Sequence, residues 1–328
     1  MRTMIAVLFT AFCTFFTSMA YGAPIVIKFS HVVHDDTPKG QMALRFKELV
    51  EKEKKLSGKV KVEVYPDSKL ANDNVVAKKI LAGEIEMAAP ALSKLKKYAP
   101  ELAIFDMPFL FNGIGAVDKF KGTKHGKSLL GSMKEEGLIG LGYMHNGMKQ
   151  LSANKPLISP SDAKGLRFRI MSSAVLVAQF KAVDAIPLEK PFKQVYDLLK
   201  SGDIDGQENT WSNIYSKKFH EVQEYITESN HGYLGYMIIT STKFWNKFDP
   251  ETRKELEKRL AQAIAFGNQT AIKKAVFDRK RIVDADKARI LTLKEKDKKK
   301  WIKVMEPVWH KFDDVIGKEV IDAAYASN

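Results

Sequence analysis

Val76-Ala77, Ile80 and Gly83-Glu84-Ile85-Glu86 are answered at identical offsets by Val195-Tyr196, Leu199 and Gly202-Asp203-Ile204-Asp205. Each copy reads as a helix stopped by glycine, followed by an acid–isoleucine–acid step into a strand. A chance match is the alternative to two α/β lobes built alike. If the lobes are real, a ligand belongs between them, beyond the carboxyl ends of their strands.

The flanking sequence supplies the rest of each lobe. Ile25 to Ser30 (IVIKFS) reads as a buried strand, Thr37-Pro38 opens a helix, and Val60, Val62 and Val64 alternate with charges as a second strand. A helix over 74–82 then leads to a third strand at Ile85 and Met87, completing a βαβ pattern. In the second copy Gly165-Leu-Arg-Phe-Arg-Ile170 is the strand, with its apolar residues on one face and both arginines on the other. Ser172-Ser173 caps the helix carrying Val175, Leu176 and Phe180, and a further helix is expected over 192–200. Asp249-Pro250-Glu251-Thr252 starts a run to about Ala288 that no proline breaks after Pro250. At 1.5 Å per residue such a helix spans about 50 Å and crosses from one lobe to the other. Gly267 either eases a bend in it or is a tolerated surface glycine.

Length and composition agree with two domains. The chain has 328 residues, 45% hydrophobic and 28% charged, which excludes wholesale disorder. Cys13 is its one cysteine, which excludes a disulfide framework and a cysteine-rich metal site. Residues 1–22 read as a cleavable export signal: Arg2 is the positive end and Met4 to Phe16 the apolar run. Ala20-Tyr21-Gly22 prepares cleavage before Ala23, with Ser18-Met19-Ala20 as an earlier alternative. Loss of Arg2 leaves the mature charge one unit below the formal +14, a balance that favours anionic partners. Part of that excess is Lys294 to Lys300 (KEKDKKK), read as a solvated helix face. Export, and the lack of aromatic residues among the basic runs, argue against nucleic acid.

Catalytic motifs are missing: the sequence has no nucleophile elbow, P-loop or HExxH, and Gly137-Leu-Ile-Gly140-Leu-Gly142 reads as a strand edge. His31, His34, Asp35 and Asp36 form either a metal cluster or, as preferred here, a polar loop on the ligand side. No metal and no cofactor is expected. Arg169 ends an apolar strand just before a capped helix start, a place suited to an anion, and its planar fork matches a carboxylate. Pairing with a structural acid is the competing reading. Asn209 can donate to the same anion or stabilise its own turn, and Phe192 is either core or ligand wall.

Gly165-Leu-Arg-Phe-Arg169, Phe192-x-x-x-Tyr196 and Asp205-Gly-Gln-Glu-Asn209 together resemble the substrate-binding proteins of TRAP transporters. Phe29-Ser-His-Val, Thr37-Pro-Lys-Gly and Ile104-Phe-Asp-Met-Pro-Phe-Leu-Phe111 look like their four-carbon dicarboxylate-binding branch, and the resemblance runs over essentially the whole mature chain. It implies a two-lobed, class II-like periplasmic binding fold closing on a carboxylate. The implied lobes are 23–146 plus 235–274, and 147–234 plus 275–328. Arg169 becomes the carboxylate clamp, completed by Asn209 and Phe192. Lys149 matches a basic position that is arginine in sialic-acid relatives, and His231, Ser93 and Lys94 are weaker carry-overs, with Ala91 where relatives often have serine. His31 belongs to the ligand-side loop. The second carboxylate falls to Lys149 or to the Ser93-Lys94 region. The implied partners are a small dicarboxylate and the small and large membrane subunits of a sodium-coupled permease, with the protein a periplasmic monomer. Competing readings are a secreted enzyme using His31 or His231 as base with Arg169 as anchor, and a ligand-sensing module for a membrane receptor.

Overall fold

A computed structural model describes residues 23–328. The export signal and Cys13 lie outside the described residues. Among the described residues nine strands join one sheet. In its first half β1 (Ile25–Ser30) pairs in parallel with β2 (Val60–Tyr65) and β3 (Met87–Ala88). The long β4 (Leu138–Ala153) leads to the second half, where β5 (Arg167–Ile170) pairs in parallel with β6 (Ile186–Glu189) and β7 (Gly206–Asn209). The similarly long β8 (Tyr225–Ser241) returns antiparallel to β4, and β9 (Arg289–Thr292) pairs with it in parallel. The order β2-β1-β3-β8-β4-β7-β5-β6 therefore sets two parallel groups on either side of one crossing antiparallel pair.

The sequence echo has a structural cause. Its helices are α2, which follows α1 (Pro38–Lys52) and covers Val76–Leu81, and α4 (Val195–Ser201), which follows α3 (Ala174–Ala182). Gly83 and Gly202 both adopt φ +76°, the left-handed conformation that ends a helix most readily when no Cβ is present. Ile85 and Ile204 then enter the core. The acids after them do the same work: Glu86 accepts from the Lys28 backbone N–H at 3.0 Å, and Asp205 from that of Arg167 at 2.8 Å. Each carboxylate thus ties the glycine turn to the neighbouring parallel strand.

Two expected helices are shorter than read. The first is only Val76–Leu81, and the segment at Phe192 begins as a 3-10 turn, Phe192–Gln194, before α4. Thr210 caps α5 (Trp211–Ser216), accepting from the Asn213 N–H. The long helix α6 is Pro250–Ala285, about 54 Å at 1.5 Å per residue, with Asp249 accepting from the Thr252 N–H at 2.9 Å. It packs on α1 in one half and α5 in the other, so it does cross between them. The reading of Gly267 as a surface glycine needs correcting. The residue is buried, and a Cβ there would lie 2.7 Å from Met42 Cβ and 2.9 Å from Met144 Cε. It lets α6 approach α1 and β4 closely; solvent tolerance has no part in it.

The core is not divided cleanly between the halves. One apolar cluster joins Phe29 and Phe46 to Met144, Phe168 and Leu260, because β4, β8 and α6 serve both sides. Val195, Leu199, Trp211 and Ile282 form a smaller cluster in the second half. Trp309 and Ile321, near the end of the chain, pack with Phe105 and Phe120, and the Trp309 indole donates to the Pro108 carbonyl at 2.8 Å. Lys294, Lys296, Lys299 and Lys300 are exposed on or beside the helix Glu295–Met305.

Candidate functional site

A cleft between the two halves is lined on one side by Val32, Ser68 and Lys94 and on the other by Arg169, Phe192 and Asn209. It lies at the carboxyl ends of the parallel strands: Val32 follows β1, Arg169 is near the end of β5, and Asn209 ends β7.

Arg169 is 2% exposed. Its Nε donates to the Lys190 carbonyl at 2.9 Å, which orients the fork, and the guanidinium carbon sits 5.8 Å from the Phe192 ring centroid. Burial pulls its pKa down to about 10, while Glu208 and Asp73 oppose this through space, without a hydrogen bond. Among the described residues no acid forms an ion pair with it, so the competing reading of a structurally paired arginine fails. Asn209 is placed beside it by the β5–β7 pairing, its amide donating to Gln207 Oε1 at 3.1 Å and accepting from Asn213 at 2.7 Å. Phe192 packs edge-on against Phe219, with ring centroids 6.0 Å apart.

Lys94 faces them across the cleft, its ammonium 3.2 Å from Ser172 Oγ. Burial, and then the neighbouring charge of Arg169, bring its pKa down to about 8. Ser93 is buried against Met171, Oγ to Sδ 3.5 Å, and does not line the cleft.

Lys149 and His231 are elsewhere. The Lys149 ammonium donates to Glu208 Oε1 at 2.7 Å, and His231 Nε2 lies 2.8 Å from Glu208 Oε2, all three side chains being buried. Burial pushes the Glu208 carboxyl up, yet Lys149 and His231 hold it at about 2. Ser229 occupies the other His231 nitrogen at 2.7 Å. Neither Lys149 nor His231 lines the cleft, and each is held by a carboxylate inside the protein. His31 is buried off the cleft, and burial followed by Lys39 lowers its pKa to about 3. Among the described residues no group of three or more His, Cys, Asp or Glu side chains converges on a metal position.

Lys39 was missed by the sequence reading. It is fully buried in the first turn of α1, donates to the Ala89 carbonyl at 2.8 Å and lies 3.6 Å from the centroid of Tyr236, a cleft-lining ring. Burial brings its pKa to about 8. The available signal was a cation in a helix's first turn, where the macrodipole disfavours it.

The crossing strands, the parallel groups on either side of them and the cleft between these groups define a two-lobed solute-binding protein of the periplasmic type. The chain belongs to the bacterial extracellular solute-binding protein family 7 (DctP), whose model matches residues 29–314. It is 51% identical over 309 residues to the C4-dicarboxylate-binding periplasmic protein DctP of Shewanella loihica, covering 94% of this chain and 91% of that one. Over 305 residues it is 42% identical to the protein of the same name from Vibrio cholerae, with 93% and 91% covered. A TRAP periplasmic solute-binding protein of Shewanella oneidensis, solved with bound succinate, matches with TM-score 0.92 and 52% identity over 93% of this chain and 100% of that one. Another from Pseudomonas aeruginosa, with bound L-malate, matches with TM-score 0.85 and 43% identity over 88% and 100%.

Proposed function

We propose that the cleft captures a four-carbon dicarboxylate of the succinate, fumarate and malate class and hands it to a TRAP membrane permease of small and large subunits, with no bond made or broken. The observation that carries this reading is Arg169: a buried guanidinium with a free fork aimed at a cleft and, among the described residues, no acid in ion-pair contact with it, although Glu208 and Asp73 act on it through space. An uncompensated buried charge is costly, and a ligand carboxylate offsets that cost with two charge-assisted hydrogen bonds. Asn209 and the Phe192 ring complete this end. Lys94 serves the second carboxylate from the opposite wall, and Lys39, behind Tyr236, adds positive potential. The names and bound ligands of the relatives support the four-carbon choice. The enzyme alternative loses its proposed bases, since His31 is buried off the cleft and His231 is held by Glu208.

In this reading residues 1–22 are removed on export to the periplasm and the monomer works there. Among the described residues no helix is long and apolar enough to cross a membrane. The lobes divide at 146/147 and 234/235, where the β4–β8 register shifts between His145 and Gly147. The last stretch, from about Val308, travels with the first lobe, because it packs on residues 99–120.

The test is calorimetric titration of protein stripped of ligand by unfolding and refolding. Succinate should bind one to one, and butyrate about 100-fold more weakly or worse, because donors prepared for the second anion are left unpaired. Equal affinities would remove the dicarboxylate assignment.

A further inference from the structure

At the mouth of the cleft, outside its lining, three side chains join the two halves of the molecule. Lys217, just after α5, places its ammonium 3.1 Å from Asp67 Oδ1 in the turn after β2. His34 Nδ1 lies 2.9 Å from the other carboxylate oxygen of Asp67, and Lys217 Nζ lies 3.4 Å from His34 Nε2. A neutral imidazole satisfies both contacts at once: Nδ1–H donates to Asp67, and Nε2 accepts from Lys217. The three groups form a closed ring, with two members from the first half and one from the second.

Two further observations connect this ring to the site. Lys217 is also 5.7 Å from the centroid of Phe192, the ring over which Arg169 sits on the cleft side. Asp67 and Ser68 both adopt left-handed conformations, φ 55° and 61°, uncommon for consecutive residues other than glycine. They are held there by backbone bonds from Asp67 to Val33 at 3.1 Å and from Ser68 to His31 at 3.0 Å. The same turn puts Ser68 on the cleft wall and the Asp67 carboxylate at its rim.

We propose that Lys217, Asp67 and His34 form a latch across the cleft mouth that retains the bound ligand by holding the halves together, without touching the ligand. The proposal rests on the reading that the cleft closes on a carboxylate. A bond between the halves exists in the closed form and is broken in the open one, so it stabilises closure and slows release. Its size is limited by exposure: the Lys217 and Asp67 side chains are 18% and 33% exposed. A partly screened pair of this kind corresponds to roughly a two- to fivefold effect.

The test is stopped-flow binding of succinate to the wild type, Asp67→Asn, Lys217→Met, the double variant and Lys217→Arg. Asparagine tolerates the left-handed turn, and methionine keeps an apolar stem over Phe192. Both single variants should release succinate about two- to fivefold faster, the double variant no faster than the faster single, and Lys217→Arg at close to the wild-type rate. Association should move in opposite directions, slightly faster without Asp67 and slightly slower without Lys217, because the ligand is an anion. Unchanged release in both singles, or a double variant whose acceleration is the product of the two, overturns the latch and leaves the binding site standing. A wild type that binds no dicarboxylate overturns both.

Discussion

Arg169 and Lys149 are both buried cations, 2% and 1% exposed, on strands that flank β7. Between them Glu208, on β7, forms ion-pair contacts with Lys149 and His231 and reaches Arg169 only through space. One cation is neutralised inside the protein and serves as scaffold. The other is held in position by a single carbonyl and left facing the cleft. In the proposed function, the buried cation that meets the ligand is the one that lacks an ion-pair partner among the described residues.

The comparison can be broken most forcefully at Glu208. Glu208→Ala strands Lys149 and His231 in the interior and should cost about 3–5 kcal/mol of folding stability in denaturant titration. Lys149→Met combined with Glu208→Met should recover much of that loss, because no uncompensated charge remains. If Lys149→Met alone left stability intact but abolished succinate binding, Lys149 would be a ligand contact after all and the contrast with Arg169 would collapse.

A smaller effect concerns pH and the opposite wall. Lys94 and Lys39 have pKa values near 8, lowered chiefly by burial. Between pH 8 and the ordinary lysine value the unfolded chain holds more protons at these positions than the folded one, so their contribution makes ligand-free stability rise with pH across that window. Affinity for the dianion should move the other way, falling roughly three- to tenfold from pH 7 to 9 as Lys94 discharges. Melting curves and titrations at several pH values would show the opposed slopes. A flat affinity profile would remove Lys94 from the second carboxylate.

Much of this architecture was legible because it rests on local chemistry. The glycine stops at 83 and 202, the acid–isoleucine–acid steps and the Asp249-Pro250 helix start each act within a few residues, and all recur as read. Arg169, Asn209, Phe192 and Lys94 converge because the first two lie at the ends of β5 and β7 while the other two lie in short 3-10 turns after β6 and β3. What was not legible depends on register and distance. The bond between Lys149 and Glu208 joins residues 59 positions apart, across a β4–β7 ladder whose alignment no local pattern announces. Gly267 looked like surface because the methionines it accommodates, Met42 and Met144, are remote in the chain. Lys39 was hidden in a helix start that drew attention to its threonine cap and proline.

The most direct measurement is calorimetry with succinate on Arg169→Ala and Arg169→Lys, alongside the denaturant stability of each ligand-free variant. The alanine variant should lose about 2–5 kcal/mol of binding, on the order of 30- to 5,000-fold, while its ligand-free stability stays within about 1 kcal/mol of wild type. Lysine should restore little, because a point charge cannot replace the planar fork. Near-normal binding by the alanine variant, or a loss of binding that merely follows a loss of folding, would contradict the assignment of this unpaired guanidinium to the ligand.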